Sequence, residues 1–568
     1  MTDTAPSVVE AERRAFDAWR DDFFAAYYAA RPVNATFIGV HAHDHALPDF
    51  SPAGLAGEAA TMRDLRRRLA AIDTAPLDTA RRHDAMLCDG FLELQLMEQG
   101  LPQFSRGNPA VYTGEAVFAI LSLFLRDSEP LVERVAAAIA RMRAIPDFLA
   151  QARANVASAP VAWTEQAIRE AAAAVLYCER GLPRLAAARG ISDPDLLAAA
   201  TGACEAFLAH RAWLEETLLS RPSGTMACGR EAFDRYLRSG HFLSPDRDSI
   251  WLTSYAQRAL EAARERLVAK AAALDSICSW PEQVRGLADH HPSATDYYAA
   301  FPRIWNAARD AAIAADLVTW PDYPIDYVPV PESDREAAAG LYYLPYRCPP
   351  PFGRPETHRY LVPPLDSDLT SAEQEQRLRA TNDAVITLNH VIHHGGLGHH
   401  VQNWNAFRAE SRVGQIAGGD CASRIAMFCG GTLVEGWACY ATALMDEIGF
   451  LTPLQSLAEA QGRLRMAARA VADVGLHTGA MSLAETAAFY AREAGMPTAA
   501  AHGEAVKNSM FPGAAMMYLI GLETMFDLRR RYAATRGSAF SLREFHDRLL
   551  DYGAIPVTLI ARDMAPEA

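Results

Sequence analysis

Histidines and one glutamate form the pattern in this chain that could carry chemistry. Five of the 17 histidines fall within eleven positions, at His390, His393, His394, His399 and His400. About 35 residues further on, Glu435 lies in an apolar segment of helical character. Two imidazoles and one carboxylate from packed elements can hold a divalent cation and leave one coordination position open for water or substrate. The pairing therefore predicts a metal site of the His-His-Glu type.

The spacing of the histidines leaves the ligating pair open. His390 and His394 are four residues apart, which suits a regular helix, whereas His393 and His399 are six apart. Three glycines lie within residues 395–398, and each weakens a regular helix by about 1 kcal/mol. They permit a bulge or kink that would turn the later imidazoles towards the earlier ones. The structural alternative is that the histidines cap a kinked helix or satisfy one another in a polar core.

Composition is that of a large globular chain. Of 568 residues, 50% are hydrophobic and 22% are charged, and the net charge is −15. The negative charge argues against nucleic acid or an anionic membrane surface as a partner. We therefore expect a small-molecule substrate, while the oligomeric state stays open.

Cysteine usage and hydropathy predict a soluble cytoplasmic protein. The nine cysteines are scattered and include no Cys-x-x-Cys pair, which is typical of reduced buried thiols. The first residues lack the basic start and apolar core of a signal peptide. No apolar stretch approaches the roughly 18 residues that a membrane span needs.

Helical periodicity dominates the chain and predicts an all-α fold class. Two strand-like runs, at 342–346 and 358–362, lie in a proline-rich region, so we expect a small irregular or β insert near 315–370. The clearest helical patterns cover residues 11–28, 131–145, 165–182, 193–219, 254–273 and 454–471.

The domain organisation follows from the same pattern. We expect one large helical domain over residues 1–568, because no repeat or disordered linker interrupts it. A subdivision is conceivable into an N-terminal helical half, 1–310, and a C-terminal half, 311–568, that carries the metal site.

Two motifs resemble signatures of the domain-of-unknown-function 885 family, large helical bacterial proteins similar to zinc metallopeptidases. The family pattern His-Glu-x-x-Pro-Gly-His-His corresponds here to residues 393–400, and Glu-Gly-Trp-Ala-x-Tyr-Ala-Glu corresponds to residues 435–442. The resemblance implies a zincin-like helical body with metal ligation by His393, His399 and Glu435. The likeness spans nearly the whole chain, since further agreement lies in residues 34–39, 229–237, 469–477, 511–521 and 545–556.

Three positions depart from the family pattern. His394 stands where the family has the glutamate of its first motif, Leu397 where it has proline, and Thr442 where it has the second glutamate. The carboxylate base of the His-Glu motif is therefore not carried over. We expect His394 to replace it as general acid or base, because an imidazole titrates near neutrality.

Further residues are candidates for supporting roles. His477, with Asp473 one helical turn earlier to fix its tautomer, and Tyr518 could donate hydrogen bonds to developing negative charge. The alternatives are helix capping for His477 and core packing for Tyr518. Trp437 and Tyr440 could line a pocket or belong to the core. Candidates for substrate contact or for support of the ligands are His390, His400, Asp473 and Arg529. Arginines that could grip a substrate carboxylate, or be solvated instead, are Arg463, Arg465, Arg469 and Arg529.

The predicted function is a metal-dependent enzyme with one divalent cation, for which Zn²⁺ is the expected ion. The cation would polarise a carbonyl oxygen or acidify a water molecule. The family likeness favours hydrolysis of an amide-type bond. The loss of the carboxylate base keeps two alternatives open: a non-hydrolytic lyase that cleaves a C–C bond or eliminates, and an inactive relative that only binds metal or ligand.

Overall fold

The computed structural model describes residues 8–335, 349–353, 355–365, 369–419 and 424–565. Helices account for most of these residues, and one small sheet accounts for the strands. The prediction of a mainly all-α fold is therefore confirmed. Within the described residues, no helix is both long enough and apolar enough to cross a membrane.

The chain divides into two compact units, and the first comprises residues 1–228 together with 331–344. Its core is aromatic and alanine-rich, with Trp19, Trp163 and Phe207 almost fully buried. Its α-helices are Val8–Ala30, Pro32–Ile38, Pro52–Leu69, Thr79–Glu98, Ala110–Leu121, Leu131–Asn155, Val161–Leu176, Leu182–Arg189 and Pro194–Trp213. Single π-helical turns occur at Tyr177–Gly181 and Leu214–Leu218, and a 3₁₀ turn at Glu332–Asp334.

The second unit comprises residues 229–330 and 345–568 and contains the predicted metal ligands. The first segment of the first unit ends at residue 228, well before residue 310, where the sequence suggested a subdivision. The α-helices of the second unit are Arg230–Arg235, Ser249–Leu274, Trp280–Gly286, Tyr297–Ala314, Ser371–Ala380, Asp383–Val385, His399–Ala406, Arg412–Ile416, Arg424–Cys429, Gly431–Glu447, Pro453–His477, Leu483–Glu493, Thr498–Met510, Met517–Arg536, Leu542–Asp551 and Val557–Met564. Its π-helices are Tyr236–Gly240 and Ile386–Gly395, and its 3₁₀ turns are Leu287–Asp289 and Gly537–Ala539.

The small sheet lies inside the region where the sequence predicted an insert. Strands Ile325–Pro329 and His358–Val362 pair in parallel, with Tyr327 opposite Tyr360. The prediction of a strand at 358–362 is confirmed, and the partner strand at 325–329 was not predicted. The predicted strand at 342–346 lies outside the described residues.

Each predicted helix is present, and the differences lie at the ends. The helix predicted at 131–145 runs on to Asn155, because Pro146 is accommodated inside it. The helix predicted at 165–182 starts at Val161 and ends at Leu176, where a π-helical turn follows. The helix predicted at 454–471 continues to His477. Periodicity locates a helix, but where it ends depends on tertiary contacts.

Candidate metal centre

The histidines lie on an irregular helix rather than a regular one. Residues Ile386–Gly395, here called the histidine π-helix, carry His393 and His394 near their end. A tight turn over residues 396–398 follows, and a regular helix, His399–Ala406, begins at His399. The π-helix has a wider turn than an α-helix, and the glycine turn reverses the chain direction locally. The expected bulge is confirmed, and it brings His399 back towards His393 despite their spacing of six.

Three imidazoles converge at this turn. One ring nitrogen from each of His393, His394 and His399 lies within 4.8 Å of the others. The ring centroids are 4.7 Å apart for His393 and His394, and 4.8 Å apart for His393 and His399. The third pair of rings is 5.1 Å apart. Imidazole nitrogens so arranged are suited to a common cation of the Zn²⁺ type.

Glu435 joins the imidazoles from the helix Gly431–Glu447, here called the Glu435 helix. Its Oε2 lies 3.4 Å from His393 Nε2 and 3.8 Å from His399 Nε2. Burial by itself raises the pKa of the Glu435 carboxyl. The hydrogen bond with His393 and the nearby His399 imidazole outweigh burial, so the pKa is lowered. A buried carboxylate held ionised beside nitrogen ligands is the donor set that a divalent cation prefers.

The cluster is buried on one side and accessible on the other. His399 and Glu435 are 4% and 3% exposed, whereas His393 and His394 are partly exposed. A substrate would therefore approach across the His393–His394 edge. Three protein ligands on a tetrahedral cation would leave one coordination position for water or substrate, and this edge is the accessible side of the cluster.

Two tryptophans hold the glycine turn in place. The indole N–H of Trp437 donates to the carbonyl oxygen of Leu397 at 2.8 Å and lies 3.2 Å from that of Gly398. The indole N–H of Trp305 donates to the carbonyl of Gly395 at 2.5 Å. A Cβ at Gly398 would overlap the carbonyl oxygen of His393. The turn between the ligands therefore tolerates no side chain there and is fixed from two helices.

The Glu435 helix is positioned by a close helix crossing. It packs against the helix Met517–Arg536, here called the Tyr518 helix. A Cβ at Gly436 would lie 2.5 Å from the Cα of Gly521, so the two backbones touch. Glutamate, glycine and tryptophan at 435–437 thus have separate tasks: ligand, helix contact and clamp on the histidine turn.

Two of the five clustered histidines lie outside the group of three. His390 Nδ1 is 2.9 Å from the Tyr360 hydroxyl, and its ring packs edge-on against Phe301. His400 donates from Nε2 to the carbonyl of Tyr323 at 2.7 Å and stacks on that ring. Burial lowers the pKa of His400 to about 4, so it stays neutral. The i, i+4 pair His390–His394 is therefore not the pair that converges, because the π-helix changes the phase.

Asp473 and His477 form part of the core beneath the Tyr518 helix. The Asp473 carboxylate accepts hydrogen bonds from the backbone N–H groups of Gly513 at 3.1 Å and Met516 at 2.9 Å. His477 donates from Nε2 to the carbonyl of Asn508 at 2.9 Å and is fully buried. Burial lowers the pKa of His477 to about 4 and raises that of Asp473 to about 7. Asp473 thus fixes the turn that starts the Tyr518 helix, and His477 has the geometry of a packing residue rather than of a group that touches substrate.

The other two candidate residues, Tyr518 and Arg529, differ in what surrounds them. Tyr518 lies three residues before Gly521, which contacts Gly436, so it is on the helix that packs against the Glu435 helix. The guanidinium of Arg469 lies over its ring, 4.7 Å from the centroid. Arg529 instead pairs with Glu447 at 3.0 Å and donates to the Tyr440 hydroxyl at 3.0 Å. The guanidinium group of Arg529 is therefore engaged by Glu447. Arg529 is not among the residues that converge with the histidines.

Several residues at the site carried no signal in the sequence analysis. Trp305 and Tyr360 come from segments far from the motifs, and only the fold brings them near. Gln402, one turn after His399, is 1% exposed. Neither atom of its carboxamide has a hydrogen-bond partner within the described residues. A buried amide one turn from a predicted ligand is a signal that sequence reasoning could have used.

A separate pocket lies at the other end of the histidine π-helix. It has a volume of about 280 Å³ and is lined in part by Arg303, Asp383, Thr387 and Gln455. Gln455 donates to the Thr387 hydroxyl at 3.0 Å there. None of the candidate ligands lines it, so we place the chemistry at the histidines rather than in this pocket.

Comparison with known families and curated proteins gives one match. The sequence model of the family described as "Bacterial protein of unknown function (DUF885)" matches residues 32–564. No curated protein matches the chain.

Two solved structures share the fold over nearly their full lengths. A protein of unknown function from Shewanella oneidensis has a TM-score of 0.78 and 21% identity, with 97% of this chain and 99% of that one covered. A protein from Colwellia psychrerythraea has a TM-score of 0.76 and 15% identity, with 97% and 98% covered. Both are described as a "putative lipoprotein". At these identities the likeness concerns the fold alone, and the cytoplasmic location of this chain stays a prediction.

Proposed function

This chain belongs to the DUF885 family, and we propose that it is a metal-dependent enzyme of the hydrolase type that acts on a small amide or other carbonyl substrate. One observation carries the proposal: three imidazole nitrogens lie within 4.8 Å of one another, with the Glu435 carboxylate 3.4 and 3.8 Å from two of those rings. In this proposal His393, His399 and Glu435 hold one divalent cation, with Zn²⁺ expected. Such a cation polarises a carbonyl oxygen and acidifies water.

The residues of the chain supply binding, orientation and proton transfer. His394 lies at the accessible edge and takes or gives the proton at the substrate, since an imidazole changes charge near neutral pH. The Tyr518 hydroxyl donates a hydrogen bond to the oxygen that becomes negative. Trp437 and Trp305 hold the histidine turn so that the ligand geometry is already formed before substrate arrives.

A metal-dependent lyase is the second candidate. The observation that favours it is the imidazole of His394, where a carboxylate would serve a peptidase of the His-Glu type. A Lewis acid and a neutral base are sufficient for C–C cleavage or elimination next to a carbonyl group. A protein that binds metal without turnover is the remaining outcome of the tests below.

Metal binding is tested first, on the purified chain stripped with chelator and titrated with Zn²⁺. We expect one equivalent to bind, and His393→Ala, His399→Ala and Glu435→Gln each to weaken it by more than about a hundredfold. His502→Ala is the matched control, because this histidine is exposed on the helix Thr498–Met510. Binding of no stoichiometric ion by the wild type would refute the proposal.

The reaction class is tested with His394→Glu and a panel of amide, ester and β-hydroxycarbonyl substrates. Metal-dependent cleavage of amides or esters by the wild type, kept or increased in His394→Glu, supports the hydrolase. Turnover of β-hydroxycarbonyl compounds alone, abolished by the same change, supports the lyase. Metal binding without turnover of any class leaves a binding protein.

A further inference from the structure

The helix Pro453–His477, here called the arginine helix, brings a row of charged residues beside Glu435. Most of these charges are paired. Arg463 forms an ion pair with Glu459, and Arg469 donates to Glu504 at 2.7 Å. Arg465, between them, is partly exposed, and its Nε is buried without a hydrogen-bond partner within the described residues. Buried charges in proteins are ordinarily paired, so an exception calls for an explanation.

The surroundings of Arg465 explain why nothing within the cluster neutralises it. Its positive charge is opposed by burial and by the neighbouring charge of Arg469, and together they lower its pKa. Glu504, the acidic group that acts most on Arg465, already bonds to Arg469 and is also attracted by Lys507. The three arginines Arg463, Arg465 and Arg469 therefore share two ion-paired acids, Glu459 and Glu504. A divalent cation would more than offset the single negative charge of Glu435 and would add positive charge nearby.

The position of Arg465 relative to the site follows from two helical repeats. Glu435 and Cys439 lie one turn apart on one face of the Glu435 helix, and Arg465 and Arg469 lie one turn apart on the arginine helix. The charge of Arg469 acts on both Glu435 and Cys439, and that of Arg465 acts on Cys439. Arg465 is therefore near the turn of the Glu435 helix that follows Glu435, on a helix that packs against it.

We infer that Arg465 is the anion-binding residue of this site and receives the carboxylate or phosphate group of an anionic substrate. The inference rests on the proposed metal site, because it assigns the substrate of that site. The guanidinium fork makes two parallel hydrogen bonds to an oxyanion, which neither histidine nor lysine can do. Arg469 and Tyr518 are positioning partners: Arg469 is already bonded to Glu504 and covers the Tyr518 ring. The substrate is thus a small molecule that carries both a reactive carbonyl group and an anionic group.

The test measures binding of trifluoroacetate by fluorine NMR, with trifluoroacetamide as the neutral isostere. We expect the wild type to bind the anion and not the amide. Arg465→Gln should weaken binding by at least about tenfold, and Arg465→Lys, which keeps the charge without the fork, by less. Arg530→Gln is the matched control, because Arg530 is a largely exposed arginine of the same unit. Competition with inorganic phosphate shows which oxyanion the site prefers.

Two results would overturn the inference. One is a wild type that binds neither trifluoroacetate nor phosphate, and the other is an Arg465→Gln variant whose affinity stays within twofold of the wild type. Each titration is repeated with and without Zn²⁺. Anion binding that needs Zn²⁺ but not Arg465 would place the anion on the metal and refute this inference while supporting the proposed function. Arg465-dependent binding in a protein that takes up no Zn²⁺ would support the anion site and refute the metal site.

Discussion

Two arginines on helices of this chain have opposite surroundings. Arg141, in the first unit, is fully buried and donates to the carbonyls of Ala46, Ala119 and Pro32 and to two hydroxyls. Arg465, in the second unit, has no such partner among the described residues. The arginine that organises a core has its donors satisfied by the fold. Arg465, by our inference, keeps its guanidinium for the anionic group of a substrate, which is not part of the chain.

The largest expected effect is the loss of the satisfied arginine. Arg141→Met leaves several buried acceptors without a donor, each at about 1–3 kcal/mol, so we expect the free energy of unfolding to fall by about 3–5 kcal/mol. Urea denaturation followed by circular dichroism measures it. Arg143→Met on the same helix is the control, because that side chain is mostly exposed. A loss no larger than that of the control would mean that the hydrogen bonds of Arg141 do not stabilise the core of the first unit.

The second prediction concerns a buried acid in the first unit. Burial raises the pKa of Glu170 to about 7, although Thr113 and Gln166 donate hydrogen bonds to it. The folded state therefore holds this proton more tightly than the unfolded chain, so the stabilisation is complete below about pH 4.5 and is lost as the pH rises through 7. At full ionisation the loss is on the order of 3 kcal/mol.

The comparison of wild type with Glu170→Gln isolates that proton. As the pH rises from 5 to 8, we expect the free energy of unfolding of the wild type to fall relative to that of Glu170→Gln. Urea titrations at each pH measure it. The nearby Glu115, whose pKa burial also raises to about 7, is present in both proteins and cancels. A difference that does not vary with pH would show that Glu170 is already ionised at pH 5.

The third prediction addresses the clamp on the histidine turn. Trp437→Phe removes the N–H that bonds to the carbonyls of Leu397 and Gly398. We expect about 1–2 kcal/mol lower stability and about tenfold weaker Zn²⁺ binding, because the ligands lose their fixed geometry. Calorimetric titration measures the affinity, with Trp251→Phe, far from the motif in sequence, as the control. Unchanged Zn²⁺ affinity would mean that the turn is held without the indole.

The smallest expected effect belongs to the unpaired arginine. Arg465→Met should leave the free energy of unfolding of the metal-free protein unchanged, or raise it by up to about 1 kcal/mol, because a guanidinium whose Nε is buried without a partner among the described residues is replaced by an apolar side chain. The same urea titration measures it beside Arg141→Met. A loss comparable to that of Arg141→Met would give Arg465 a structural role.

Much of the fold could be predicted from the sequence because helical periodicity is a local property. The patterns at 11–28 and 254–273 correspond to helices Val8–Ala30 and Ser249–Leu274. The parallel partner of strand His358–Val362 was not predicted, because strand pairing joins residues distant in the chain. The sequence suggested a subdivision at residue 310, whereas the first segment of the first compact unit ends at residue 228, because compactness depends on contacts between distant segments.

The sequence predicted which types of residue form the candidate site better than it predicted the role of each residue. Glycine content predicted an irregular helix at the histidines, and a π-helix with a tight turn is present. Which imidazoles converge was left open by spacing, and the structure groups His393, His394 and His399. The assignment of metal ligands stays a prediction. The sequence favoured a catalytic role for His477 because it could not show that the ring donates a hydrogen bond to the carbonyl of Asn508.

The sequence by itself determined the helical class, the insert near 315–370, the glycine-loosened histidine segment and the apolar setting of Glu435. These are consequences of periodicity and of residue chemistry within one segment. Only the tertiary structure decided that Trp305 and Trp437 bind the carbonyls of the histidine turn and that Arg529 pairs with Glu447. It also decided that the Nε of Arg465 has no hydrogen-bond partner among the described residues. Hydrogen-bond partners come from segments far apart in the chain, so whether a polar group is satisfied is a property of the packed molecule.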